Sequence, residues 1–289
     1  MPISIDRRGF LKASLSALAV SRLVRGTEAS VHVALLSDTH IAADEKDLFR
    51  GFSPLANLRK VAAMVTQAKP DLLVVNGDLA RQSGQMQDYA AFSSYVNPLA
   101  DSMPLVVTMG NHDDRDNARK SLAKLSGDKQ AVVQKFVSIV DGGPCVFVML
   151  DSLMITNIGA GLLGKAQRDW LASYLSGPAN KPLVIFVHHN PNSDWDYGLM
   201  DADRLLAVLQ PNKNVKALIF GHTHEYSTSK VNGLHLVNLP AVGYNFSDGW
   251  PVGWVDAVFD KSGLGLTLHA IAGEMKDDGK SSRLDWRVS

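Results

Sequence analysis

Short apolar runs recur along the chain from Val31 onward, with polar segments between them. Most of these runs are continuous rather than alternating, which is typical of strands covered on both faces. They predict six β-strands, over residues 31–37, 71–76, 104–109, 145–150, 182–187 and 215–220. Amphipathic segments predict helices over residues 54–69, 164–175 and 201–209. Strands that alternate with helices in this way predict a layered α/β domain.

The pattern changes after His224, where three apolar runs follow one another without helical segments. These runs cover residues 234–239, 253–259 and 264–271. We expect them to form a second sheet that packs beside the first. Residues 276–289 are polar, and we expect a loose tail there. No internal repeat, linker or low-complexity segment divides the sequence, so residues 30–275 are predicted to be one domain.

The N-terminal residues have the features of a secretory signal peptide. Arg7 and Arg8 lead into a mildly apolar stretch, residues 13–20, and small residues beyond it offer a cleavage site. The paired arginines before Phe-Leu-Lys resemble a twin-arginine export signal, although Asp6 replaces the usual Ser or Thr. A basic amphipathic helix is the alternative, because further arginines interrupt the apolar stretch. We expect residues 1–29 to engage the twin-arginine export machinery and to send the protein to the periplasm or outside the cell.

Composition narrows the range of partners. The chain has 289 residues with 29 basic and 29 acidic side chains, so its formal net charge at pH 7 is zero. A neutral chain is not expected to need a nucleic-acid backbone or an anionic membrane as an obligatory partner. Outside the N-terminal segment, no run approaches the roughly 18 apolar residues of a membrane span, so stable membrane anchoring is not expected. Cys145 is the single cysteine and cannot form an internal disulfide.

Residue types that bind metal ions follow directly after five of the predicted strands. The carboxyl ends of strands in an α/β sheet form the edge where active sites lie. The residues at these ends are Asp38, His40, Asp78, Asn111, His112, His188, His189, His222 and His224. Each alone has an ordinary explanation, since Asp and Asn form turns and helix caps and a lone His is usually structural. Their coincidence at one edge favours a metal site.

The ligand types also indicate the metal class. Imidazoles, carboxylates and an amide oxygen, without a thiolate, suit first-row divalent or trivalent ions such as Fe, Mn, Zn or Co. The set is too large for one tetrahedral ion and fits two ions about 3.5–4 Å apart, bridged by a carboxylate and a hydroxide. Such a pair lowers the pKa of bound water toward about 7 and holds the attacking and leaving oxygens in line.

The motifs Asp-x-His, Gly-Asp, Gly-Asn-His-Asp, His-His and Gly-His-x-His, in this order, resemble the calcineurin-like metallophosphoesterase superfamily. The resemblance runs from about residue 31 to residue 254, and is strongest to bacterial class III cyclic-nucleotide and glycerophosphodiester phosphodiesterases. It implies a four-layer α/β/β/α sandwich whose dinuclear site hydrolyses a small phosphodiester by attack of a metal-bridging hydroxide. Phosphomonoester hydrolysis at the same site is the alternative, and a non-catalytic metal-binding module is a further one.

The resemblance also implies roles for individual residues. One ion would be held by Asp38, His40 and His224, the other by Asn111, His188 and His222, with Asp78 bridging them. His112 matches the family's leaving-group acid or phosphate donor, although an imidazole beside a ligand can be a simple neighbour. Arg81 stands where relatives with Gly-Asp-x-x-Asp carry an acid, so the acid–histidine pairing seen there is in doubt here.

Three further residues are candidates for contact with the substrate. His189 follows a predicted ligand and would either support the site or line its pocket. Asp113 either orients His112 by accepting its second N–H or is an ordinary turn residue. Tyr244 lies on a loop near the proposed site, where aromatic residues either stack on a substrate or cover the edge of the core. The other loop aromatics of this kind are Trp195, Tyr197, Phe246 and Trp250.

Overall fold

The structure is a computed structural model, and it describes residues 29–178 and 180–288. The predicted signal peptide covers residues 1–29, and residues 1–28 of it lie outside the described residues. The export signal therefore stays a prediction. Within the described part of the chain, no helix has both the length and the apolar character needed to cross a membrane.

The described residues form thirteen β-strands and five α-helices. The strands are β1 (Ser30–Leu36), β2 (Leu72–Asn76), β3 (Leu105–Thr108), β4 (Asp128–Gln130), β5 (Val137–Asp141), β6 (Val146–Met149), β7 (Leu183–Phe186), β8 (Val215–Phe220), β9 (Ser227–Val231), β10 (Leu234–Asn238), β11 (Pro251–Asp260), β12 (Gly263–Gly273) and β13 (Ser281–Asp285). The helices are α1 (Pro54–Ala68), α2 (Met86–Ala100), α3 (Arg115–Ser121), α4 (Gly164–Leu175) and α5 (Ala202–Leu209). The six strands and three helices predicted before His224 all occur, with bounds that differ by at most one residue.

Two mixed sheets pack face to face, and helices cover the outer face of each. The strand orders are β13-β12-β11-β1-β2-β3 in the first sheet and β4-β5-β6-β7-β8-β10-β9 in the second. In β1, Val33 and Leu35 belong to the core between the sheets, whereas Ala34 and Leu36 pack with α1 and α2. A third core lies between the second sheet and helices α4 and α5. These layers confirm the expected α/β/β/α sandwich.

The late strands do not form a sheet of their own, and that expectation is wrong. β10 pairs with β8 in the second sheet, whereas β11 and β12 extend the first sheet because β11 pairs antiparallel with β1. The early strands are themselves divided, with β1–β3 in the first sheet and β6–β8 in the second. A continuous apolar run shows that both faces of a strand are buried, but not which sheet the strand joins.

Residues 276–289 do not form a loose tail, so this expectation is also wrong for their described part. β13 pairs antiparallel with β12. Beyond it, the indole N–H of Trp286 donates to the carbonyl of Asp260 over 3.0 Å, and the guanidinium of Arg287 donates to carbonyls at the end of α5. Most residues of β13 are exposed, so the strand has no apolar run by which the sequence could reveal it.

Candidate metal centre

Five strand ends bring the predicted ligands to one edge of the sandwich. The first sheet supplies Asp38 and His40 after β1, Asp78 after β2 and Asn111 after β3. The second sheet supplies His188 after β7, and His222 and His224 after β8. The site therefore lies where the two sheets meet, and each sheet contributes ligands.

The backbone is strained at these ligands. Asp38, His40, Asp78, His222 and His224 all have positive φ, between 48° and 70°. Residues other than glycine seldom adopt this left-handed conformation, which costs on the order of 1–3 kcal/mol at each position. Half of the ten non-glycine residues with positive φ in the described chain are predicted ligands. Strain concentrated in this way is typical of a functional site.

Glycines allow the ligand loops to approach one another closely. A Cβ at Gly110 would overlap the carboxylate of Asp78, and a Cβ at Gly221 would crowd the carboxylate of Asp38. Both clashes involve carboxylates that are predicted metal ligands. Neither clash can be relieved without moving a ligand out of the site. The glycine of each motif is therefore required by the packing of the neighbouring ligand.

Main-chain carbonyls fix the orientation of three ligand imidazoles. The contacts join Nδ1 of His40 to Arg81 O (3.3 Å), Nδ1 of His188 to Asn76 O (2.8 Å) and Nδ1 of His224 to Tyr244 O (2.5 Å). A carbonyl oxygen can only accept, so Nδ1 carries the proton in each ring. Nε2 of the neutral ring then presents its lone pair to the site, as metal binding requires.

The potential ligand atoms form three groups, two of which share Asp78. The groups are Asp38 with His40 and His224, Asp78 with His188 and His222, and Asp78 with His40 and His112. Within each group, one ligand atom per residue lies within 4.8 Å of the others. Oδ2 of Asp78 is 3.3 Å from Nε2 of His188 and 3.6 Å from Nε2 of His40. Asp78 thus lies between imidazoles supplied by the two sheets.

Three buried ligand atoms have no hydrogen-bond partner: Oδ1 of Asp38, Oδ1 of Asn111 and Nε2 of His188. The other oxygen of Asp38 is held, since Oδ2 accepts from the hydroxyl of Ser37 (2.5 Å) and the main-chain N–H of His222 (3.1 Å). A buried polar atom without a partner costs about 1–3 kcal/mol. The two oxygens offer lone pairs to a cation, and Nε2 of His188 does so once it has given up its proton, so the residues at this site fit a metal ion.

Burial and charge set the protonation states of the predicted ligands. Burial lowers the pKa of His40 to about 3 and that of His222 to about 4, so both rings are neutral near pH 7. Burial would raise the pKa values of Asp38 and Asp78, but nearby imidazoles, His188 above all, outweigh it and keep both carboxylates ionised. Burial would also lower the pKa of His188, yet the two carboxylates raise it to about 10, so without a metal ion this ring carries a proton near pH 7. The two carboxylates thus create a negative charge that a cation would balance, and a metal ion at Nε2 of His188 would displace that proton.

The sequence matches the family described as calcineurin-like phosphoesterase over residues 31–226. The chain belongs to that family. The match includes the carboxyl ends of β1, β2, β3, β7 and β8, and therefore every predicted metal ligand.

Curated relatives agree with this membership, and a solved structure shares the fold. The 3',5'-cyclic adenosine monophosphate phosphodiesterase CpdA of Pseudomonas aeruginosa is 30% identical over 230 residues, which cover 77% of this chain and 80% of that protein. The glycerophosphodiester phosphodiesterase GpdQ of Enterobacter lignolyticus is 25% identical over 253 residues, which cover 84% and 87%. A dimetal phosphatase from Danio rerio shares the fold with a TM-score of 0.70 and 15% identity, over 89% of this chain and 99% of that one. This protein is a metal-dependent phosphoester hydrolase.

His112 lies at the open side of the phosphoesterase site. Its main-chain N–H donates to Oδ1 of Asp78 over 2.8 Å, and its Nδ1 lies 2.8 Å from the carbonyl of Gln82. A ring nitrogen lies within 4.8 Å of ligand atoms of His40 and Asp78, and the side chain lines the pocket. His112 is therefore placed to act on a group bound at the site.

Asp113 does not contact the pocket, and the prediction that it binds substrate or orients His112 is wrong. Its carboxylate is fully buried. It accepts, over 2.9–3.3 Å, from the main-chain N–H groups of Leu79, Ala80 and Gly110 and from the hydroxyl of Tyr89. Asp113 thereby ties the loop after β2 to the loop after β3.

His189 is not among the described residues that line the pocket, and its contact with substrate stays a prediction. The side chain is fully buried, and its Nδ1 lies 2.7 Å from the hydroxyl of Ser152. Its ring centroid is 4.6 Å from that of His222. His189 therefore packs behind a predicted ligand, which was the other role that its position allowed.

A cavity of about 570 Å³ opens in front of the ligands. Tyr244 lines it, and the Tyr244 ring lies 4.7 Å from the ring centroids of both His40 and His224. The side chains that complete the wall are those of Asn157, Asn190, Tyr197, Thr223 and Phe246. None of the described residues that line this cavity is Lys or Arg. Apart from the metal site and His112, the wall is therefore uncharged.

Asn76 and Gln82 both organise the site, although neither is among the residues predicted above. Asn76 donates from Nδ2 to the carbonyl of Val187 and accepts from the hydroxyl of Thr108, each over 3.0 Å, so it joins the two sheets beside His188. Asn76 is a polar residue at the end of an otherwise apolar strand, and this position in the sequence could have indicated its role. Gln82 acts through its main-chain carbonyl, for which side-chain patterns give no signal.

Proposed function

We propose that this protein is a dinuclear phosphodiesterase that hydrolyses a small phosphodiester. The observation that carries the proposal is the position of Asp78, which belongs to two ligand groups and suits a bridging carboxylate. One ion would be held by Asp38, His40 and His224, the other by Asn111, His188 and His222. The chemistry that two such ions, of Fe, Mn, Zn or Co, supply when bound is Lewis acidity toward the phosphoryl oxygens and a water that is nucleophilic at neutral pH.

The chain's own residues supply the proton that the reaction needs. Hydrolysis adds water across a P–O bond, so the leaving oxygen must gain a proton as that bond breaks. His112 lines the pocket, and its ring is oriented by the carbonyl of Gln82. It is the side chain placed to donate this proton. Because His112 is only partly buried, it can recover the proton from water afterwards.

Two observations favour a diester over a monoester. The relatives CpdA and GpdQ carry names of phosphodiesterases. In addition, the described residues that line the pocket include no Lys or Arg, so this wall offers no such cation for the second negative charge of a monoester. Phosphomonoester hydrolysis at the same site is the alternative that the kinetics must exclude.

Steady-state kinetics of the metal-loaded protein on bis(p-nitrophenyl) phosphate and p-nitrophenyl phosphate test the proposal. We expect the higher kcat/KM for the diester, and a monoester preference of about tenfold, roughly 1.4 kcal/mol in the barrier, would reverse the assignment. Asp78→Asn should lower both metal content and turnover by about 100-fold or more. Asp169→Asn, an exposed carboxylate on α4, is the matched control and should leave both unchanged. Undiminished hydrolysis by the metal-stripped protein would refute the proposal.

We also propose that residues 1–29 direct the protein through the twin-arginine machinery to the periplasm or outside the cell. The support is the pair Arg7 and Arg8 before Phe-Leu-Lys and an apolar stretch. Replacing both arginines by lysine should leave unprocessed precursor in the cytoplasm, as measured by cell fractionation. Normal processing and export of the double variant would contradict this assignment.

A further inference from the structure

Two aromatic side chains in the wall of the cavity, Phe246 and Tyr197, are left open to solvent. Phe246 is 45% exposed and Tyr197 is 69% exposed, and both line the cavity. Aromatic rings gain much of their stabilisation from burial, so rings left open at the rim of a catalytic pocket suit contact with a ligand. Since the wall around them is uncharged, it suits a neutral group of the substrate rather than a second ionic one.

Phe246 lies directly beside the metal site. Its ring stacks on that of His224, with centroids 4.3 Å apart and planes that differ by 28°. The ring of His224 is itself held, because its Nδ1 donates to the carbonyl of Tyr244 over 2.5 Å. The position of the Phe246 ring is therefore tied to a predicted ligand. An ester group on a phosphate bound at that ligand lies within reach of the ring.

Arg50 holds the segment that carries Phe246. Its Nε donates to the carbonyl of Asn245 over 2.9 Å, and its Nη2 donates to the carbonyl of Phe246 over 3.0 Å. Arg50 itself has a φ of 52°, in a tight turn closed by two main-chain hydrogen bonds of 2.9 Å between Phe49 and Phe52. Asn and Gly are the usual residues at such a position. Arg50 occupies it despite the strain, and its guanidinium fixes the backbone beneath the exposed ring.

We infer that Phe246 determines specificity, as a platform on which an aromatic or otherwise planar ester group of the phosphodiester stacks. Arg50 is its positioning residue, because its guanidinium holds the carbonyls at 245 and 246, lies 5.7 Å over the centroid of the Phe246 ring and does not line the cavity. The inference rests on the proposed phosphodiesterase function and adds to it the chemical class of one ester group.

The test compares two diesters on the metal-loaded protein. Bis(p-nitrophenyl) phosphate has aromatic ester groups, whereas glycerophosphoethanolamine has only small aliphatic ones. Phe246→Ala should raise KM for the aromatic diester by about tenfold, the effect expected from loss of one stacking partner, with a smaller change in kcat. KM for the aliphatic diester should rise much less. Phe246→Trp keeps a ring at this position and should restore a low KM for the aromatic diester.

Variants of Arg50 separate positioning from folding. Arg50→Gly removes the guanidinium but relieves the backbone strain, so the fold should be retained. It should still raise KM for the aromatic diester selectively, and Arg50→Lys should give an intermediate value because an ammonium group cannot hold both carbonyls as a guanidinium does. Trp195→Ala is the matched control, since it removes a 73% exposed ring that does not line the cavity, and it should change neither KM.

Metal content and both substrates are measured for every variant. Equal losses on the two diesters, or loss of metal from Phe246→Ala, would overturn the inference and make Phe246 a support for His224. The inference would also be overturned if Trp195→Ala raised KM for the aromatic diester as selectively, and by as much, as Phe246→Ala does. If the wild-type protein hydrolyses neither diester, the proposed function fails instead, and this outcome is visible before any variant is tested.

Discussion

Nδ1 of His112 lies 2.8 Å from the main-chain carbonyl of Gln82, so the backbone rather than a carboxylate orients this ring. The side chain of Arg81, the residue before Gln82, is directed away to Asp47, with Nε donating to Oδ2 over 2.8 Å. The carbonyl of Gln82 is therefore the acceptor for the Nδ1 proton of His112. A neutral carbonyl places no full negative charge beside the imidazole, unlike a carboxylate.

His112→Ala should distinguish substrates by their leaving group. An alkoxide is a poor leaving group and needs a proton, whereas nitrophenolate departs readily as an anion. We therefore expect a loss of about 10²–10⁴-fold in kcat/KM on an alkyl ester and a much smaller loss on a nitrophenyl ester. Metal content, measured by elemental analysis, should match the wild type. Equal losses on both esters would assign His112 to phosphate binding, and loss of metal would make it a ligand.

Gly110→Ala should damage the metal site through sterics alone. The added Cβ overlaps the carboxylate of Asp78, which must then move away from the other predicted ligands. We expect metal affinity to fall by about 10–100-fold, measured by titration of the metal-free protein with Mn²⁺. Gly265→Ala on β12 is the control, because the nearest atom to a Cβ there is the carbonyl oxygen of Val258 at 3.9 Å. Wild-type affinity in Gly110→Ala would contradict the placement of Asp78 as a ligand.

The edge that carries the ligands could be predicted because each ligand directly follows a strand buried on both faces. An apolar run fixes where a strand ends, and the polar residue after it must then lie at the edge of the sheet. The same reasoning failed for Asp113, although it adjoins His112. Neighbouring residues in a turn can point in different directions, and the Asp113 carboxylate turns inward to main-chain N–H groups. Sequence adjacency shows that two residues are close, but not that they share a pocket.

Helix α2 and strand β13 escaped prediction for different reasons. In α2 the buried Tyr89, Phe92 and Val96 recur at helical spacing, but the helix contains Pro98 and has no side-chain hydrogen bond at its N-cap, so the usual start signal is missing and a breaking residue is present. Strand β13 is mostly exposed, and what fixes the chain around it are hydrogen bonds from Trp286 and Arg287 to carbonyl groups elsewhere in the fold. Contacts of side chains with distant carbonyls depend on tertiary structure and leave no periodicity in the sequence.

Arg287→Ala should destabilise the fold. The guanidinium donates to five carbonyls, those of Leu209, Gln210, Asn212, Val215 and Asn232. Since hydrogen bonds from a charged group are worth about 1.5–3 kcal/mol, we expect a loss of about 2 kcal/mol or more in the free energy of unfolding, measured with urea. Arg283→Ala, which breaks a largely exposed pair with Asp260, is the control and should cost about 1 kcal/mol or less. Equal effects would show that the tail is not anchored through Arg287.

The pair of His32 and Asp256, which joins β1 to β11, should make stability depend on pH. Nε2 of His32 lies 2.5 Å from Oδ1 of Asp256, and this hydrogen bond raises the pKa of His32 above 6.5 although burial opposes the shift. A folded pKa above the unfolded one means that the folded state binds the proton more tightly. The contribution of His32 is therefore complete below pH 6.5 and is lost as the pH rises through the folded pKa.

Urea unfolding of the wild type and of His32→Gln, compared from pH 5 to pH 9, measures this contribution. The difference in the free energy of unfolding should be about 1 kcal/mol at the acid end and should shrink as the pH rises above about 6.5. His235→Gln is a control of opposite sign, because burial lowers the pKa of His235 even though its Nε2 lies 2.7 Å from the carbonyl of Asp285. The His235 contribution should be present above pH 6.5 and fall as the pH drops below it. A difference between wild type and His32→Gln that stays constant across this range would show that the pair does not bind a proton on folding.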